Sequence, residues 1–387
     1  MSRLDELIKE LCPDGVEYKP LEKCCQILDN KRKPITKSAR ESGEYPYYGA
    51  NGIQDYVADY IFDGIYVLVG EDGSVMTPDG NPVVNWAEGK IWVNNHAHII
   101  SEIDGVLLRY LFHYLQIVNV KPLIHGNIPK LTGGDFRALQ IPVPPIEVQG
   151  EIVRILDNFT ELTTELTTEL TARKTQYEYY RDTLLTFGDE VKNIPLKHVV
   201  LKSCSGGTPT KGRSEYYDGG TIPWLRTQDV RFNEIYDINS FITEEAIKKT
   251  AAKWIPANCV IVAISGATAG RCAINKIPTT TNQHCLNLEI DSSKALYKYI
   301  FYCLCNQYEE LISKKQGARG DLNSSMVLNL IIPLPPLEEQ ERIVSILDKF
   351  DGLCNDISIG LPAEIETRHK QYEYYRDKLL TFKELTR

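Results

Sequence analysis

Nine apolar positions, Ile152, Leu156, Phe159, Leu162, Leu166, Leu170, Tyr177, Tyr180 and Leu184, recur at steps of three, four or seven residues. That spacing draws a single apolar stripe along an α-helix. It predicts one long helix over about 146–187, roughly 63 Å at 1.5 Å per residue. Pro142, Pro144 and Pro145 stand just before it and require an extended lead-in, while Phe187-Gly188 supplies the stop. A helix of that length needs a partner, and the chain contains one.

Residues 141–159, IPVPPIEVQGEIVRILDNF, return at 332–350 as IPLPPLEEQERIVSILDKF, and KTQYEYYRDTLLTF at 174–187 returns within 368–382 as RHKQYEYYRDKLLTF. The offset grows from 191 to 195, so four residues separate the two copies in length. In the first copy the interval 160–171 is TELT three times over. Threonine is a poor helix former, but Leu162, Leu166 and Leu170 carry the stripe across it, and we assign it to a spacer helix. In the second copy Gly360-Leu361-Pro362 predicts a break, with Pro362 in the first turn of a new helix. Asp5-Glu6-Leu7-Ile8 echoes Asp182-Thr183-Leu184-Leu185, so the chain starts like its own middle and its middle resembles its end, a pseudo-twofold circular plan.

Between the helical copies lie two stretches rich in β-formers and turn signals, for example YVADYIFDGIYVLVGEDGS at 56–74 and CVIVAISGATAGRCAI at 259–274. Each ends in a predicted helix, Val106 to Val118 and Ala295 to Ile312. The expected architecture is mixed α/β (α+β): an N-terminal helical segment 1–15, globular domains at 16–145 and 188–336, and helical spacers at 146–187 and 337–387. The two long helical segments are expected to pair with each other.

The chain has 387 residues, 43% apolar and 25% charged, a formal charge of −9 and a mean hydropathy of −0.26, values of a soluble globular protein. Its charged opening, MSRLDELIKE, is no signal peptide and no apolar run reaches about 18 residues, so a cytoplasmic location without membrane contact is expected. Ten cysteines without a C-x-x-C pair read as buried thiols. Enzyme signatures are missing: there is no Walker A loop and no Asn/Asp-Pro-Pro-aromatic motif of an adenine methyltransferase. Pro13-Asp14 with Glu17-Tyr18-Lys19 imitates a nuclease pattern, but its acids lie three residues apart instead of on separate strands. Asn94-Asn95-His96-Ala97-His98 offers two imidazoles without a third ligand nearby, so no metal site is expected.

Nucleic-acid signals are more consistent. Residues 27–40 hold five basic groups against one acidic, among them Lys31, Arg32 and Lys33, and are followed by Tyr47, Tyr48 and Asn51. Residues 196–213 hold four basic groups and no acid; Thr208, Thr210, Lys211 and Arg213 are followed by Arg226, Thr227 and Gln228. Basic groups neutralise phosphates, and Asn, Gln, Thr and Arg read base edges. His125, Asn127 and Lys130 in one domain, and Lys315 and Arg319 in the other, sit in glycine-bearing loops after each domain's last helix.

These segments, GVEYKPL, YPYYGANGIQDYV, FDGIYVLVGEDG, GGTPTKGRSEYYDGGTIPWLRTQDV and both IP-x-PP-x-E-x-Q…ILD-x-F…QYEYYRD-x-LL copies, resemble the specificity subunits of type I restriction-modification systems over essentially the whole chain. The resemblance implies a non-catalytic subunit whose two globular domains are target-recognition domains, separated by two long antiparallel helices forming a coiled-coil spacer. It would recognise a split double-stranded DNA site and dock two methyltransferase subunits and, through them, restriction/translocase subunits. S-adenosylmethionine, ATP and Mg²⁺ would then belong to the partners and none to this chain. Tyr177, Tyr180 and Arg181, with Tyr372, Tyr375 and Arg376, are the expected partner contacts, because the YEYYRD segments carry more aromatic surface than one helix pair needs. The alternative reading is a solitary DNA-binding or decoy protein that dimerises through its helices.

Overall fold

The computed structural model describes residues 3–314, 321–356 and 359–385. Lys315 and Arg319 lie outside the described residues. The chain forms two compact units, one of Met1–Thr167 with Glu364–Arg387 (unit 1) and one of Thr168–Ala363 (unit 2). Ten α-helices lie among the described residues: α1 (Arg3–Leu11), α2 (Leu108–Leu115), α3 (Gly133–Ala138), α4 (Ile146–Leu184), α5 (Glu244–Lys249), α6 (Tyr297–Asn306), α7 (Tyr308–Ser313), α8 (Ser324–Leu328), α9 (Leu337–Asn355) and α10 (Leu361–Leu379). None is long and apolar enough to cross a membrane. The helix predicted over Val106 to Val118 is shorter at both ends, and the one predicted over Ala295 to Ile312 is two helices meeting at Gln307.

The repeat copies become α4 and the pair α9 and α10. Pro362 stands second in α10, and Gly360 makes the turn: a Cβ there would meet the carbonyl oxygens of Gly352 and Asp356 at 2.6 Å. Only glycine lets the chain fold back so closely on the end of α9. Helix α4 runs unbroken through the TELT units, where Thr160 and Thr163 donate to the carbonyls of Leu156 and Phe159 four residues earlier. The predicted stripe is buried only at its start, at Ile152 and Leu156; Leu162 is 44% exposed, so in the TELT interval the leucines cover the helix more than they fill a core.

A common frame joins each domain to its long helix. In unit 1 Glu17–Pro20 pairs antiparallel with Gln140–Val143; in unit 2 Asn193–Pro195 pairs antiparallel with Ile331–Pro333. The glutamine of the E-x-Q motif then clamps the helix start. Gln149, fully buried, accepts the Leu107 N–H at 2.9 Å and donates to the carbonyls of Gly105 and Pro144. Gln340 repeats this with the Leu296 N–H and the carbonyls of Lys294 and Pro335. About two turns further on, Asp157 accepts from Arg109 and His113 of α2, both at 2.8 Å, while Asp348 accepts from Lys298 and Tyr302 of α6 at 2.7 and 2.6 Å. Phe159 stacks on Tyr375 in unit 1 and Phe350 on Tyr180 in unit 2, with centroids 5.4 and 5.3 Å apart.

The domain of unit 1 is built on a six-stranded sheet in the order Gln26–Ile27, Ala97–Ser101, Phe62–Gly70, Val84–Val93, Ser42–Gly49, Gly52–Val57. The strand Phe62–Gly70 is half exposed where it alternates and fully buried over its last four residues, where it enters the core beside Ile99 and Ile100. Unit 2 has a five-stranded sheet, Val200–Ser205, Cys285–Ile290, Val260–Ala263, Cys272–Asn275, Asn233–Ile235, and a four-stranded one, Phe241–Ile242, Ile222–Leu225, Thr279–Thr281, Trp254–Ile255. All ten cysteines are free thiols, Cys204 and Cys305 half-buried and the others buried. Burial pushes Cys24 up to about 11 and Cys25 up to about 12, which leaves this adjacent pair as inert packing groups. Near the chain ends, Val16 donates to Lys383 O and accepts from Leu385 N, both at 2.9 Å, within unit 1.

Candidate nucleic-acid interface

In unit 1 four segments meet at one end of the sheet. The turn after Ser42–Gly49 carries Asn51; the loop after Phe62–Gly70 carries Glu71 to Ser74; Asn94 to His96 link two strands; and a hairpin of Ile124–His125 and Lys130–Leu131 closes the set. Backbone bonds fix them together. The Asn94 N–H donates to Tyr48 O at 3.1 Å, the His96 N–H to the Asn94 side chain at 2.8 Å, the Glu71 N–H to His96 O at 2.8 Å and the Leu131 N–H to Glu71 O at 2.8 Å.

Unit 2 repeats the scheme with other side chains. There the Asn282 N–H donates to Leu225 O at 3.0 Å, the His284 N–H to the Asn282 side chain at 3.1 Å, the Ile264 N–H to His284 O at 2.9 Å and the Leu322 N–H to Ile264 O at 2.8 Å. Sheet registers agree: Tyr48 pairs in parallel with Val93, and Leu225 with Thr281. Asn51 in unit 1 thus corresponds in place to Thr227 and Gln228 in unit 2. Gly73 and Gly266 fall at the same point with φ of +77° and +78° and open space where a Cβ would stand. Both expose bare backbone to an approaching ligand.

The predicted site residues divide between surface and interior. Lys31, Lys33, Asn51, His125, Asn127 and Lys130 are exposed in unit 1, as are Thr208, Thr210, Lys211, Arg213 and Gln228 in unit 2. Arg226 and Thr227 are half-buried, with the Arg226 guanidinium 5.9 Å from the Trp224 ring. Thr208 donates to Gln283, which ties the glycine-rich loop to the Asn282 turn. Arg32, Tyr47 and Tyr48 belong to the interior instead. Tyr47 is 1% exposed, its hydroxyl bonded at Ile35 and its ring under Arg40; Tyr48 is buried in the core.

Arg32 enters a charged cluster beneath the loops. Its guanidinium donates to Glu71 and to Ala97 O, both at 2.6 Å, and lies 3.6 Å from Asp29. His98 bonds Asp29 at 2.6 Å and Leu131 O at 3.1 Å, and Lys130 reaches Glu71 at 3.2 Å. Burial opposes ionisation of Asp29, yet the His98 hydrogen bond and charge, the Ile99 N–H and Arg32 prevail and hold its carboxyl below the ordinary value. Asp29, Glu71 and His98 are close enough together to ligate a metal, but Arg32 and Lys130 already supply the cationic charge. The cluster reads as a platform that stiffens the Glu71 loop.

On the helices, Tyr177 and Tyr372 turn inward. Tyr372 meets His113 at 3.2 Å, and Tyr177 packs on Phe350 within the core of unit 2. The outward residues are Tyr179 and Tyr374, 65% and 62% exposed, with Tyr180 and Tyr375 about 40% exposed beside them. Arg181 bonds Asn306 and Asp182, and Arg376 bonds Asp377.

A family profile described as the type I restriction modification DNA specificity domain matches residues 13–173 and again 189–367. A putative type I restriction enzyme specificity subunit of Haemophilus influenzae is 38% identical, covering 95% of this chain and 96% of that protein. The specificity subunit of the type I restriction enzyme EcoR124I/EcoR124II from Escherichia coli is 37% identical over 72% of each chain. In fold, the chain matches the S subunit of a type I restriction-modification system from M. genitalium with a TM-score of 0.61 at 14% identity, covering 95% of this chain and 96% of that one. Two profile matches end to end, with a frame built twice from the same hydrogen bonds, place the chain among the specificity subunits of type I restriction-modification systems, non-catalytic proteins that recognise the DNA target of their complex.

Proposed function

We propose that each domain reads one half of a split double-stranded DNA target, and that the helices dock two methyltransferase subunits, to which restriction/translocase subunits attach. The observation that carries this reading is the four-segment loop set present in both units, with the same backbone bonds and different exposed side chains. A shared frame with variable tips suits two half-sites of unlike sequence. Lys31 and Lys33 beside one set, and Lys211 and Arg213 beside the other, supply phosphate contacts. S-adenosylmethionine, ATP and Mg²⁺ are assigned to the partners.

The direct test is long-read detection of methyladenine in cells expressing this chain with its neighbouring methyltransferase, against cells lacking only this chain. A two-part motif that appears only with the chain is the expected result. A motif that persists without the chain would refute the recognition role.

A further inference from the structure

Resting on that reading, we propose that the turns Asn94 to His96 and Asn282 to His284 determine specificity in the two domains, with His96 in unit 1 and Gln283 and His284 in unit 2 contacting base edges. Neither turn lies in the basic, aromatic-flanked segments from which a DNA surface is read in sequence. Their place in the structure singles them out.

Each turn has one asparagine that serves the fold and neighbours that do not. Asn94 and Asn282 are 2% and 8% exposed, and each accepts the N–H two residues on. The residues that follow, Asn95 and His96 or Gln283 and His284, are exposed. The turn's position is therefore fixed while its tips stay open to a ligand, with Asn95 and Gln283 differing between the domains and His96 and His284 alike but set among different neighbours. Chemically, a carboxamide presents a donor beside an acceptor and a neutral imidazole one ring nitrogen of each kind, which suits both to distinguishing base edges.

In unit 1 the turn borders an open cleft of about 390 Å³. Asn51, Gln54, Asp72, Ser74, His96 and Ile128 line it, so His96 stands among amide, hydroxyl and carboxylate groups. His96 bonds Asp72, and Asn94 reaches Gln54 at 3.3 Å. In unit 2 Gln283 is held by Thr208 and bonds His284 at 3.2 Å. Gly73 and Gly266, on the neighbouring loop of each unit, leave room for a phosphate to come close to the backbone. Beneath the unit 1 set the Arg32 cluster keeps Glu71, and with it the His96 carbonyl, in place.

The test uses the full chain with its methyltransferase, comparing wild type with His96→Ala, Gln283→Ala and His284→Ala. Two readouts are taken: the methylated motif in cells, and the affinity of the complex for duplexes that differ by single bases at each target position. Expected is a loss of discrimination of about tenfold or more at one or two positions of a single half-site, with the other half-site unchanged. His96→Ala and the unit 2 variants should affect opposite halves. Wild-type preference at every position in all three variants would overturn the proposal. A uniform drop in affinity at both halves with unchanged preference would overturn it as well, because it marks phosphate anchoring or a structural role. Asn94→Ala is the contrast, expected to lower the melting temperature while His96→Ala leaves it in place; His96→Gln serves if the alanine variant does not fold. A wild-type complex that shows no chain-dependent motif would instead remove the reading on which the proposal rests.

Discussion

Arg32 and its neighbours Lys31 and Lys33 have the same charge in sequence and different work in the structure. The two lysines are exposed, whereas the Arg32 side chain is 12% exposed and closes an ion cluster with Asp29 and Glu71. Arg32→Ala is expected to cost about 3 kcal/mol of stability, because it leaves two carboxylates with less compensation. Lys31→Ala and Lys33→Ala should keep the melting temperature and lower DNA affinity, with a shallower salt dependence. Chemical denaturation and binding titrations at several salt concentrations separate the two effects. A run of basic residues therefore announces a charged region but not which member turns inward, since that depends on acids placed 39 residues away, as Glu71 is. Tyr47 was misleading for a related reason: its hydroxyl is satisfied by local backbone, so an aromatic residue that looks like a stacking surface is packed in the core. The Asn-x-His turns leave a weaker mark, because two residues shared at an offset of 188 are too short a signal without the hydrogen bonds around them.

His113 is an element-scale device, tying α2 to α4 through Asp157 and to α10 through Tyr372. Burial disfavours its imidazolium more than Asp157 supports it, so its folded value lies below the ordinary 6.5. The unfolded chain then binds more protons, and the stability His113 gives to unit 1 is full above pH 6.5 and lost as pH falls through the lowered value. Asp157, held below its ordinary 3.8 by His113 and Arg109 against the burial that raises it, extends that loss further into acid. His113→Tyr supplies the residue unit 2 has in this place, Tyr302, and should flatten the fall in melting temperature between pH 7.5 and 5.5; an identical slope in wild type and variant would refute the assignment. The α4 helix was legible from its apolar spacing, but the exposure of Leu162 was not, since spacing reports a face and not what covers it. One TELT unit is about 6 Å of helix, near two base-pair steps of about 3.4 Å. If α4 sets the distance between the half-sites, deleting one should shorten the unspecific gap of the target by one or two base pairs and leave both half-sites alone, and an unchanged methylated motif would exclude that role.

Across the whole molecule, the circular plan was readable because the helical copies keep their sequence. The recognition domains keep mainly a pattern of backbone bonds, with the Asn-x-His turn and one glycine in common, and so little shared identity leaves the pattern unrecorded in sequence. Tyr179 and Tyr374 are equivalent by the repeat and both well exposed, and under the proposed function they are the expected docking points for two methyltransferase subunits. Changing either to Ser is expected to weaken one docking event roughly thirtyfold. Native mass spectrometry should then show complexes with one methyltransferase in place of two, and full occupancy in the double variant would exclude these residues. The pairing of Val16 with Lys383 to Leu385 has a further effect, on the timing of synthesis. Unit 1 is begun first by the ribosome, but its last pieces, α10 from Glu364 onward and the segment bonded to Val16, are made only after the whole of unit 2. At about 5–20 residues per second that interval is roughly 10–40 s. During it Phe159 of α4 lacks Tyr375 and the unit 1 core lacks Leu380, so apolar surface of the domain translated first stays open on the nascent chain until the end of synthesis.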